Sequence, residues 1–288
     1  VGAARLLGDS FETCELVDER AGSMVWVSAR RGGMAVRFAW RGTEIFYLDP
    51  ETYRDPAQKV RGGMPLLFPI CGPLQDGSYT VNGRSYSMPQ HGLARQSPWS
   101  LVDRGTSPAP FVRLELSASP ETMASYPWDF RLLFTYYLSY TTLRLEQEFQ
   151  NRSATPMPIH VGVHPYFLAP DKARLRFEIP STTFQDTESG TEGTFTGFDF
   201  ERPVIDWIFL GVQERQAAII DPGRNLRVQL NWAPAYRYLV FWTVKGKEFV
   251  CLEPWSARRF AMNTGTDLLQ VEPGQSLRTW VSIAASPA

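Results

Sequence analysis

A chain of 288 residues with a formal net charge of −1 and 43% hydrophobic residues can bury a large core and carries no surplus of either sign. That balance gives no electrostatic footprint for nucleic acid or for an anionic membrane surface. The longest apolar run, Tyr238–Val244, is far too short to span a bilayer as a helix.

The three cysteines (Cys14, Cys71 and Cys251) lie far apart without C-x-x-C spacing. This argues against a disulfide framework or a zinc site and suits a reducing cytoplasm. No signal-peptide pattern is visible, although the chain begins at Val1 rather than Met and its native N-terminus stays open. The expectation is a cytoplasmic protein, with its oligomeric state left open.

Taken in order, the chain is a succession of short alternating segments. They fall at residues 24–28, Met34–Trp40, 113–117, 131–138, 143–150, Leu226–Trp232 and 277–283. In Leu226–Trp232 the apolar residues Leu226, Val228, Leu230 and Trp232 share one face, and Arg227, Gln229 and Asn231 share the other. Such a strand buries one face and wets the other. Residues 79–81 and 84–86 flank Asn82-Gly83, a two-residue hairpin signal, because both turn positions require positive φ. One short helix is predicted after Ser119, with Ser119 as N-cap and Pro120 at the first helical position. No βα alternation, internal repeat or polar linker interrupts the pattern. The expectation is a single all-β domain over residues 1–288, built from stacked antiparallel sheets.

Residues 159–167 read IHVGVHPYF and hold two of the three histidines, His160 and His164. A period of two predicts a strand, with His160, Gly162 and His164 on one face and Val161 and Val163 on the other. A histidine at the end of a buried strand can move a proton near neutral pH or can be a satisfied core residue.

Four further segments break the pattern. Residues 61–72, RGGMPLLFPICG, form a rigid loop whose Arg61 taken alone reads as a solvated loop arginine and can otherwise clamp an anion or a sugar hydroxyl. Residues 88–95, MPQHGLAR, place Gln90, His91 and Arg95 in a loop suited to face a cleft. Asp206 stands in an apolar run, which points to a ligand role, a turn or a buried ion pair. Glu253 ends the apolar strand Phe249–Trp255, where a carboxylate is costly unless paired, hydrogen-bonded or neutral. Burial of this kind tunes a general base, and a salt bridge to Arg258 or Arg259 is the structural alternative.

Together these segments resemble the aldose 1-epimerase (galactose mutarotase-like) family. The resemblance rests on the GG-P-FP loop at residues 62–69, the QHG-AR loop at 90–95, HPYF at 164–167 and EPW at 253–255. The Asn263-Thr264-Gly265 turn and the Pro273-Gly274 turn are also similar, and the match runs over about residues 32–283. It implies a β-supersandwich with a sugar site in its concave face. It implies Glu253 as the base, His164 as the acid, His91 as an assisting group and Asp206 as a ligand of sugar hydroxyls. Gln90 belongs with the binding residues. In the branch that acts on hexose 6-phosphates, arginines at the positions of Arg61 and Arg95 bind the phosphate. The stretches FPICGPLQDG and GRSYSMPQHG instead look like an uncharacterised bacterial branch, so a free hexose and its 6-phosphate both stay open. The resemblance assigns no role to His160, which is read as structural or as a support behind the site residues.

The implied reaction is mutarotation, in which Glu253 takes the O1 proton while His164 gives one to the ring oxygen O5. It implies no cofactor and no metal. A metal site from His160, His164 and Glu253, and a Cys–His nucleophile, are weaker readings because neither has its usual context. The main alternative is a non-catalytic carbohydrate-binding module on the same fold.

Overall fold

Residues 2–288 are described by a computed structural model. Alternation along the chain becomes alternation across two large antiparallel sheets. The first runs, edge to edge, through Arg176–Glu178, Gln216–Asp221, Leu226–Trp232, Ser276–Ser286, Thr142–Asn151, Phe130–Ser139, Phe111–Ser117 and Ser100–Gly105. Its long central strands explain the clean period of two in the sequence. Leu143, Leu145 and Phe149 are buried, while Arg144, Glu146 and Glu148 between them face outward.

The second large sheet runs through Glu192–Thr194, Thr183–Asp186, Val204–Leu210, Tyr238–Val244, Phe249–Trp255, Gly162–Val163 and Leu66–Leu67, with Tyr166–Leu168 also pairing with Phe249–Trp255. A smaller sheet is formed by Gly2–Leu6, Thr13–Asp18, Ser23–Ser28, Met34–Trp40 and Thr43–Glu44. The expectation of stacked antiparallel sheets therefore holds. The Asn82-Gly83 hairpin joins Ser78–Val81 to Arg84–Ser87, with φ of 49° and 76° at the turn. The predicted helix is Pro120–Ser125, where Ser119 accepts a hydrogen bond from the Thr122 amide. Among the described residues no helix is long and apolar enough to cross a membrane. Cys14, Cys71 and Cys251 are all buried and free.

The segment around His160 and His164 differs from the expectation of one strand. It is cut into three short pieces, Met157–Ile159, Gly162–Val163 and Tyr166–Leu168, each paired differently. Pro165 offers no N–H to a ladder, and the His164 amide donates to the Pro65 carbonyl instead. The facial alternation survives the cuts. Val161 and Val163 sink into the core, and His160 and His164 emerge on the opposite side.

The second sheet divides its side chains the same way. Ile205, Trp207 and Phe209, then Leu239 and Phe241, then Val250 and Leu252 point into the space between the sheets. Asp206 and Ile208, Val240 and Trp242, and Glu253 and Trp255 point to the concave side. Residues 61–72 are pinned over this face by Phe68, whose ring lies 4.9 Å from Phe130 and 5.8 Å from Phe149. Gly92, beside His91, closes against the pinned loop at φ 74°, and a Cβ there would collide with the Phe68 carbonyl.

Gly92→Ala is expected to lower the unfolding free energy by at least about 1–3 kcal/mol, the cost of a left-handed backbone in a residue with a side chain. Urea denaturation measures this, and an unchanged midpoint would contradict the close approach of the two loops.

Candidate active site

Seven residues singled out in the sequence, Arg61, Gln90, His91, Arg95, His164, Asp206 and Glu253, line one cleft of about 220 Å³ on the concave face. They arrive from two loops and three strands or strand ends. Glu253 sits on Phe249–Trp255, a strand buried on both faces, and is only 1% exposed. Its Oε1 lies 3.3 Å from His164 Nε2, and its Oε2 accepts a hydrogen bond of 3.0 Å from the Trp255 indole. The salt bridge to Arg258 or Arg259 weighed for Glu253 is therefore not formed. Arg259 instead donates to Asp206, which makes Asp206 half of an ion pair at the wall of the cleft.

His164 is stacked on Tyr166, with ring centroids 4.7 Å apart and planes 10° from parallel. His91 accepts the Gly72 amide at Nδ1 over 3.0 Å, so a neutral ring carries its proton on Nε2 and can donate from there. The two rings lie 5.4 Å apart, edge to face.

Burial dominates the electrostatics. It pushes the Glu253 carboxyl well above the usual carboxylate range; Asp206 adds to the rise, and the Trp255 hydrogen bond, Arg95 and Arg259 oppose it. Burial pushes His164 well below the usual imidazole range, with Arg95 adding to the fall. His91 is lowered in the same way by burial and then by His164. Asp206 is raised by burial against the pull of Arg259. Both members of the His164–Glu253 pair are thus driven towards their neutral forms. The neutral pair and the ion pair hold the same number of protons, one, and differ only in which partner carries it.

Lys59 and Arg259 were not read from the sequence as site residues, yet both line the cleft. Lys59 lies in an exposed loop with no apolar context to mark it. Arg259 was legible only as a possible partner of Glu253. With Arg259 engaged by Asp206, Lys59, Arg61 and Arg95 remain as cations facing the cleft; Arg95 also donates to the Val60 carbonyl over 3.2 Å.

His160 is absent from the lining. It is buried behind Trp255, accepting the Cys71 amide at Nδ1 over 3.3 Å. The metal set of His160, His164 and Glu253 is therefore not assembled. The side chains that approach such a set are His164, Cys251 and Glu253, whose ligand atoms lie within 4.8 Å of one another. The surrounding Lys59, Arg61 and Arg95 work against a divalent cation there.

The aldose 1-epimerase family pattern matches residues 28–284. The structure resembles that of the Slr1438 protein of Synechocystis sp. PCC 6803, with a TM-score of 0.95 and 36% identity over 97% of each chain. It also resembles a galactose mutarotase-like protein of Clostridium acetobutylicum, with a TM-score of 0.84 and 20% identity, covering 100% of this chain and 99% of the other. A protein of Escherichia coli (strain K12), provisionally named glucose-6-phosphate 1-epimerase, is 30% identical over 137 residues, which is 46% of this chain and 40% of the relative.

Burial lowers His160 to about 3. The unfolded chain protonates that ring near pH 6.5 while the folded chain does not. Its contribution to stability is therefore present above about pH 6.5 and is lost as pH falls from there towards about 3. In a histidine NMR titration the His160 ring is expected to stay neutral from about pH 8 to about pH 5. A midpoint near 6.5 for that ring would contradict its burial.

Proposed function

The chain belongs to the aldose 1-epimerase family, and from that premise we propose that it interconverts the α and β anomers of a hexose or hexose 6-phosphate. The observation that carries this reading is the buried His164–Glu253 pair, 3.3 Å apart in a cleft shared with His91 and the cations Lys59, Arg61 and Arg95.

The reaction starts from the ion-pair form. Glu253 accepts the proton of the anomeric hydroxyl O1 as His164 gives a proton to O5, and the C1–O5 bond breaks. The sugar is then an open aldehyde, and both protein groups are neutral, the state that burial favours. Rotation about C1–C2 turns the other face of the carbonyl to the O5 hydroxyl. Closing runs the transfers backwards and restores the ion pair. The proton count of sugar plus pair never changes, so no proton need come from solvent. A positioned acid or base typically contributes about 10²–10⁴-fold in such a role. His91, donating from Nε2, supports O5 or a neighbouring hydroxyl, while Asp206 and Gln90 hold ring hydroxyls.

For the substrate, Lys59, Arg61 and Arg95 favour an anion attached to the sugar. This agrees with the provisional name of the Escherichia coli relative.

Glu253→Gln keeps shape and hydrogen bonding but cannot accept the O1 proton. It is expected to reduce anomer exchange nearly to the spontaneous rate while leaving sugar binding largely intact. Polarimetry or NMR exchange on free and 6-phosphorylated hexoses tests this. A wild-type protein that binds sugar but never exceeds the spontaneous rate would favour the binding-module alternative.

Arg61→Ala is expected to weaken binding of the phosphorylated sugar by about 1.5–3 kcal/mol, the range for a charged hydrogen bond, and to affect the free sugar far less. Calorimetry on both sugars decides the point, and equal losses would remove the phosphate.

A further inference from the structure

We propose that Trp255 is a positioning residue, clamped edge-on between His91 and His160, that fixes the Glu253 carboxylate so that a single oxygen is left to do the chemistry. The proposal rests on Glu253 being the base.

A glutamate carboxylate turns softly about its last torsion. Among the described residues no backbone N–H donates to the Glu253 carboxyl, so something else must set its plane. The Trp255 indole does this by donating to Oε2 over 3.0 Å, leaving Oε1 facing His164. Glu253 and Trp255 are two residues apart on one strand, so their side chains rise from the same face.

The indole is itself held. His91 meets it at 6.1 Å with planes at 80°, and His160 meets it at 5.7 Å with planes at 73°. Two consecutive amides of the pinned loop set both jaws, Cys71 donating to His160 Nδ1 and Gly72 to His91 Nδ1. Gly162 leaves room for the arrangement, since a Cβ there would stand 2.9 Å from Trp255 Cδ1 and 2.8 Å from Cys71 Sγ. This gives His160 a purpose. It lies outside the cleft, buried, with the backbone of Ala257 beside its ring. Its ring shape against Trp255 and its bond to the Cys71 amide are what the position uses.

Trp255→Phe keeps an aromatic ring between the jaws and removes the N–H. The value of kcat for anomer exchange is expected to fall about 10–100-fold, with KM changed by less than about threefold. The acid limb of the kcat/KM profile should move to higher pH, because a hydrogen bond that favours the carboxylate has gone. Trp255→His, which can again present an N–H, should recover part of kcat. It also provides the comparison if Trp255→Phe does not fold. His160→Ala, which removes one jaw without touching the cleft, should reproduce the fall in kcat at smaller size.

A raised KM with kcat and pH profile unchanged would make Trp255 a stacking surface for the sugar and overturn the proposal. So would a Trp255→Phe enzyme with unaltered kinetics, and a His160→Ala enzyme with wild-type kcat would overturn the clamp. The indole N–H resonance of Trp255 supplies a readout that needs no turnover. It is expected to shift between the wild-type protein and Glu253→Gln. A wild-type protein inactive on every aldose, yet showing this shift, would refute the assignment of Glu253 as base while leaving the hydrogen bond in place. Absence of the shift would overturn the positioning role.

Discussion

A carboxyl group 1% exposed in a strand buried on both faces is the constraint around which the concave face is arranged. Left alone in an apolar sheet, a carboxylate would cost several kcal/mol or would simply stay protonated. Here it has a neutral imidazole on one oxygen and an indole N–H on the other, with Arg95 and Arg259 at longer range. None of these cancels the burial outright, and the group remains pushed towards its acid form. A carboxyl and an imidazole that both resist being charged form a pair that exchanges one proton at little cost. Such a pair suits a reaction that needs one proton accepted and one given in the same step.

The loop at residues 61–72 carries a second dependence. Its Phe68 is a core residue, packed between rings of the first large sheet, and that anchorage extends through Pro69 and Ile70 to the amides of Cys71 and Gly72. The histidine tautomers are thus set by backbone groups whose position is fixed by apolar packing some residues away. Packing of this kind holds a site more tightly than a loop held by surface contacts could. The cations are placed differently. Arg61 and Lys59 lie towards the mouth, where a charged group keeps its water until a ligand arrives.

Much of this was legible in the sequence because strands write their facial alternation into it. Residues 143–150 and 226–232 could be read directly, and the Asn82-Gly83 hairpin has its turn chemistry in two letters. The seven site residues stood out because each broke a local pattern, as Glu253 does in an apolar run and His91 does between proline and glycine. What could not be read was pairing across space. The sequence held Arg259 six residues from Glu253, but its partner is Asp206 on another strand. The stretch holding His160 and His164 alternates like one strand, yet its first piece pairs with Leu269–Val271, its second with Leu66–Leu67 and Phe249–Trp255, and its third with Phe249–Trp255. The strands Gly2–Leu6 and Thr13–Asp18 were missed, since their burial comes from tertiary neighbours and not from a strong pattern of their own. The helix Pro50–Arg54 was missed although Asp49 and Pro50 mark its start, because five residues give no periodicity to see.

In Phe249–Trp255 the residues Val250 and Leu252 belong to the core, and Cys251, Glu253 and Trp255 belong to the opposite face. Deleting or inserting one residue within it would exchange the two sets, carrying leucine to the cleft and the carboxyl into the space between the sheets. Substitution one letter at a time leaves that assignment untouched. The core-facing positions of this segment can therefore exchange one apolar residue for another, but its length cannot change, whereas the loops that bring in Lys59 and Arg61 can gain or lose residues without altering which side of any strand faces the core.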